Sequence, residues 1–155
     1  MPAIGAVTFM PRSGHENQSP SAALLLALVL AGLGTAQAQV LSSRIWPARD
    51  YTRLTIESKS EIQYSIFSIK DPERLVLDLE VDELPAALAE LGTKVAGDDP
   101  YIQGLRVARN RPGVVRLVLD LKTEVKPQAF SLKPIAEYGH RLVLDIYPTV
   151  PVDPL

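Results

Sequence analysis

Arginine and aspartate recur four residues apart within one pentapeptide, Arg74-Leu75-Val76-Leu77-Asp78, which returns unchanged at Arg116 to Asp120 and at Arg141 to Asp145. A guanidinium takes a carboxylate through two parallel hydrogen bonds, and a carboxylate accepts from hydroxyl and amide groups. Such residues can lock a protein surface or recognise a polar, anionic ligand. Metal chemistry is less well supplied: there is no cysteine, and the two histidines are His15 and His140. A single histidine in the Tyr138-Gly139-His140 turn cannot build the zinc site of a metal-dependent hydrolase. G-x-S-x-G, Walker and G-x-G-x-x-G motifs are all missing, and Asp98-Asp99 reads as a solvated loop. The chain by itself is therefore expected to be non-catalytic, with no metal or cofactor. A net charge of −2 argues against a nucleic-acid partner, which calls for a basic excess.

The elements that carry these residues are strands. At period two, Leu75 and Leu77, Leu117 and Leu119, and Leu142 and Leu144 fall on one face, with Arg, Val and Asp on the other. Arg and Asp of one strand are then roughly 13 Å apart and cannot pair within it. Between antiparallel neighbours they can, giving a cross-strand charge ladder flanked by Val76, Val118 and Val143. Two readings of that outer face stay open. One is a solvated surface closed by ion pairs; the other is a platform for an anionic polymer bearing sugars and short peptides.

The repetition extends further. A shift of 63 residues lays Arg53-Leu54 on Arg116-Leu117 and Phe67-Ser68-Ile69 on Phe130-Ser131-Leu132; an insertion within Pro134 to Gly139 then brings Arg74 to Asp78 onto Arg141 to Asp145. Two copies of a unit of about 40 residues are too few for a solenoid and imply one pseudosymmetric domain. Strands are predicted over residues 43–46, 51–58, 61–69, 74–81, 101–109, 114–122, 125–132 and 141–147. The third and seventh change phase at Phe67 and Phe130, which suggests a bulge or a bend in each. Between the copies, Asp82-Glu83-Leu84-Pro85 opens a short helix over about 84–91 whose Leu84, Leu88 and Leu91 plug the sheets. Packing the two four-strand units face to face covers both sets of leucines. The predicted fold is all-β: a sandwich of two pseudo-symmetric, roughly four-stranded sheets with one short connecting helix.

The domain is bounded at about 39–147. Before it, the apolar run within Ser21 to Leu33 and the Ala36-Gln37-Ala38 site form a signal peptide over 1–38, cut near Ala38, and predict export to the periplasm. The run, about 13 residues, is too short for a span, so no membrane segment is expected in the mature protein. After it, Pro148, Pro151 and Pro154 mark residues 148–155 as a linker or tail leading to a further domain.

These strands, with Ile102-Gln103-Gly104-Leu105-Arg106-Val107 and Pro112-Gly113-Val114-Val115 leading into the second pentapeptide, resemble the AMIN domain. That module precedes the zinc-dependent catalytic domain of exported N-acetylmuramoyl-L-alanine amidases of the AmiC type and occurs in type IV pilus secretins. The resemblance covers about Val40 to Tyr147. It implies a sandwich of two symmetric sheets, peptidoglycan as partner, a C-terminal amidase domain outside this chain, and targeting to the division septum. The ligand-binding positions it carries over are Arg74, Val76, Asp78, Arg116, Val118, Asp120, Arg141, Val143 and Asp145. Arg53 begins a fourth, imperfect copy in which Glu57 replaces the aspartate. An interaction module of a secretin, or a fragment of a complete peptidoglycan hydrolase, are the alternatives.

Overall fold

In the computed structural model, which describes residues 38–150 besides Gly5, the pentapeptide leucines converge on a single core. Leu54 and Ile56, Leu75, Leu77 and Leu79, Leu117 and Leu119, and Leu142, Leu144 and Ile146 lose essentially all contact with solvent. At about 25 cal/mol per Å² of apolar surface buried, this seam is the main force holding the sheets together. The strands are β1 (Val40–Pro47), β2 (Thr52–Ser58), β3 (Tyr64–Ile69), β4 (Arg74–Glu80), β5 (Ile102–Arg111), β6 (Val114–Leu121), β7 (Val125–Leu132) and β8 (His140–Pro148). They form two four-stranded antiparallel sheets in the orders β1-β2-β8-β7 and β3-β4-β6-β5.

The sandwich matches the sequence expectation, but its halves are not the two repeats. Each repeat gives its first two strands to one sheet and its last two to the other. A pseudo-twofold that exchanges β1 with β5, β2 with β6, β3 with β7 and β4 with β8 therefore exchanges the sheets. Pairing β4 with β6 and β2 with β8 buries the same leucines as pairing within a repeat would, so the hydrophobic pattern does not discriminate between them.

Of the two readings of the phase change in the third and seventh strands, the bulge is not there. β3 pairs with β4 and β7 with β8 in unbroken register, and the irregularities lie in β1 and β5 instead. Tyr64 and Ile66 face the core, and Ile62, also buried, precedes the strand. Phe67 and Phe130 point the other way, opposite Val76 and Val143 on the outer faces. The apparent phase change is a strand with apolar residues on both sides.

The helix lies later than predicted: one α-turn, α1 (Ala86–Ala89), continues as a 3-10 turn over Glu90–Lys94. Leu88 and Leu91 are fully buried, whereas Leu84 stays exposed and takes no part in the plug. This segment packs on β1 and β5, the edge strands of the two sheets, where Lys94 Nζ donates to the Ser43 carbonyl at 2.7 Å. Gly92 permits the approach, since a Cβ there would lie 2.6 Å from the Leu105 carbonyl oxygen. Asp99, expected to be solvated, is fully buried. Its carboxylate accepts from the Thr52 hydroxyl at 2.9 Å and from the amides of Tyr101 and Ile102 at 2.9 and 2.8 Å, tying the loop before β5 to β2.

Among the described residues no helix is long and apolar enough to cross a membrane. The expected signal peptide over 1–38 lies outside the described residues except for Gly5 and Ala38, as does the tail beyond Val150.

Candidate functional site

Register decides which arginine meets which aspartate. On the β3-β4-β6-β5 sheet, Arg116 stands opposite Asp78 and Arg74 opposite Asp120; on the β1-β2-β8-β7 sheet, Arg53 stands opposite Asp145 and Arg141 opposite Glu57. The pseudo-twofold turns each of these rungs into its counterpart. Two rungs close. Arg116 donates from Nε and Nη2 to the two Asp78 oxygens at 2.8 and 2.9 Å, and Arg53 donates in the same way to Asp145 at 2.7 and 2.8 Å.

Each closed rung has an aromatic neighbour. The Arg116 guanidinium carbon lies 5.6 Å from the centre of the Phe67 ring, and that of Arg53 lies 5.8 Å from Phe130 and 5.5 Å from Tyr51. This is the reason for the outward phenylalanines. They complete an aromatic–arginine–aspartate clamp on each outer face, with the cation held near a ring face. The Arg116 hydrogen bonds hold the Asp78 carboxyl below its ordinary pKa, and both clamp arginines are raised by their carboxylates. Burial, and then the Asp145 charge, raises the Tyr147 phenol.

The other two rungs stay open. Asp120 turns to Arg106, which donates to both its oxygens at 3.1 and 2.9 Å from a diagonal position on β5; the directly opposite residue is Gly104, which has no side chain to intervene. Arg74 donates to the Pro72 carbonyl at 3.4 Å. Arg141 lies 5.1 Å from the Tyr138 ring centre, and its Nε is buried with no partner among the described residues. Glu57 instead accepts from the Gly139 amide at 3.2 Å.

The nine positions carried over from the pentapeptides thus do not form one patch. Arg74, Val76, Asp78, Arg116, Val118 and Asp120 share one outer face; Arg141, Val143 and Asp145 lie on the other. Val76 and Val143 are buried and Val118 half-buried, so the central positions of the ladder offer a ligand little surface. Sequence reasoning left out Arg53 and Arg106. The 63-residue shift already laid Arg53 on Arg116, whereas nothing in the local pattern marks Arg106. Chemically, each face offers a fixed guanidinium plane beside an aromatic ring. Among the described residues, no group of three His, Asp or Glu could hold a metal ion.

The AMIN domain family profile matches residues 42–146, from within β1 to within β8. The chain belongs to the AMIN domain family. It is 43% identical over 113 residues to an N-acetylmuramoyl-L-alanine amidase AmiC of Escherichia coli O6:H1, covering 73% of this chain and 27% of that protein. It is also 43% identical over 110 residues to an N-acetylmuramoyl-L-alanine amidase AmiC of Neisseria meningitidis serogroup B, covering 71% and 26%. The chain thus spans about a quarter of the length of these curated relatives. The matched part is an AMIN domain, with no catalytic domain evident.

Proposed function

We propose that this AMIN domain is a non-catalytic peptidoglycan-binding module that brings a cell-wall amidase to its substrate in the envelope and at the division septum. The observation that carries the reading is the duplicated clamp: the fold displays a fixed guanidinium beside an aromatic ring on both outer faces, in a family whose matched relatives are named as N-acetylmuramoyl-L-alanine amidases. Peptidoglycan supplies the complementary chemistry, with carboxylates on its peptide stems for arginines and sugar rings for aromatic faces. The reading places the chain in the periplasm after removal of residues 1–38, with residues 148–155 leading to the amidase domain of the parent protein. It is tested by co-sedimentation of the chain with purified cell-wall sacculi. Saturable retention in the pellet is expected, and a folded chain that stays in the supernatant overturns it.

A further inference from the structure

The internal duplication allows one outer face to serve as a control for the other. Both faces carry the clamp, so the clamp does not tell them apart. They differ around it. Next to Arg53 across the sheet stands Trp46, where the twofold-related neighbour of Arg116 is Ala108. Tyr51 occupies the place of Val114, and Tyr147 the place of Glu80. On the β3-β4-β6-β5 face the missing side chains leave a shallow hollow of about 250 Å³ lined by Arg106, Ala108, Arg116 and Val118. On the β1-β2-β8-β7 face the corresponding space is aromatic: Tyr51 and Tyr147 rings lie 5.2 Å apart, and Trp46 is 70% exposed.

A sandwich that folds with alanine, valine and glutamate at these places has no structural need of three aromatic rings there. An exposed tryptophan on an edge strand is also an aggregation liability unless it has a partner. The charge on this face adds a second indication. Arg44, one row from Trp46, and Lys126, opposite Tyr147, take part in none of the ion pairs among the described residues. The face therefore presents apolar ring surfaces flanked by unneutralised cations. That composition complements a chain of amino sugars: the C–H faces of pyranose rings lie on aromatic faces, and carboxylates pendent from the sugars meet the cations.

We infer that the two faces are functionally unequal, and that the β1-β2-β8-β7 face, through Trp46, Tyr51 and Tyr147 around the Arg53–Asp145 clamp, is the one that stacks on the glycan strand. The inference rests on the peptidoglycan reading above and assigns it to one side of the molecule.

The test uses the full chain and two readouts. In co-sedimentation with sacculi, Trp46→Ala/Tyr147→Ala is compared with a control pair on the opposite sheet, Glu80→Ala/Asn110→Ala, both exposed, after circular dichroism shows both folded. Loss of a stacking pair at the centre of a contact is expected to weaken retention on the order of tenfold, with the control unchanged. The second readout is the fluorescence of Trp46, the single tryptophan of the chain. An oligosaccharide of N-acetylglucosamine is expected to shift its emission, and a free stem peptide is not. Wild-type binding that survives the first pair but is lost in the control pair, or that leaves Trp46 emission unmoved, overturns the assignment while leaving the peptidoglycan reading intact. A shift with the stem peptide alone overturns the sugar as the stacked group. A folded wild type that binds no sacculi removes both readings.

Discussion

Among the described residues, three arginine–aspartate pairs share the same bidentate geometry but differ in how far they are removed from water, which makes them a graded test of what holds the outer faces. In Arg53–Asp145 the side chains are 39% and 2% exposed, in Arg116–Asp78 35% and 12%, and in Arg106–Asp120 63% and 36%. Removing Arg53 leaves a buried carboxylate whose remaining side-chain partner among the described residues is the Tyr147 hydroxyl, at 3.4 Å. Stranding a fully buried charge costs about 3–5 kcal/mol. Arg53 is partly in solvent, so its pair is screened and the expected loss for Arg53→Ala is about 2–3 kcal/mol. Arg106→Ala frees an aspartate that water can reach, and exposed pairs are worth roughly 0.2–1 kcal/mol. Arg116→Ala should rank between the two. Urea unfolding followed by circular dichroism reads the difference as a fall in midpoint at constant slope. If Arg106→Ala proved as damaging as Arg53→Ala, or if Arg53→Ala cost less than the exposed pair, burial of the carboxylate would not be what sets the strength of these clamps.

Acid offers an independent approach to the second clamp. The folded Asp78 pKa lies below its unfolded value of about 3.9, so its contribution is complete above that value and is lost as pH falls through the lowered folded pKa. Asp78→Asn, less stable at neutral pH, should therefore lose less further stability than wild type between pH 5 and pH 2, as read from urea midpoints; parallel curves would refute it. Asp99→Ala removes a buried acceptor from one hydroxyl and two amides and is expected to cost on the order of 3 kcal/mol in the same unfolding assay, against near-neutrality if the loop were solvated.

Much of this fold could be read from alternation alone. The leucine faces, the eight strands and the short helix follow from local pattern, because which residues are apolar is decided by burial one residue at a time. Strand order is not such a property. Leu77 is as well buried beside Leu117 as it would be beside a strand of its own repeat, so the interleaving of the copies was invisible. The clamps were half legible. Arg and Asp were expected to meet across strands, but Arg106 reaches Asp120 along a diagonal opened by Gly104, a relation between three residues on two strands. Phe67 and Phe130 misled because an apolar residue at the wrong parity has two meanings, a shifted backbone or a second apolar face. Only the partner strand tells them apart. Asp99 looked like solvent because a carboxylate in a Gly-Asp-Asp-Pro turn gives no local sign that three donors converge on it.

The interleaving of the repeats also sets a timetable for the molecule. β2 pairs with β8, so Arg53 and Asp145 must wait for nearly the whole domain to be synthesised before they can join. Until β6 and β8 are made, β4 and β2 each lack the partner that the finished sheet gives them along one edge. Such distant pairings are slow to find, and unpaired edges invite the wrong neighbour in the interval. Neither sheet is finished when the first repeat is complete. One has all its strands only on the arrival of β6 and the other only with the last strand, so one repeat alone supplies no complete sheet.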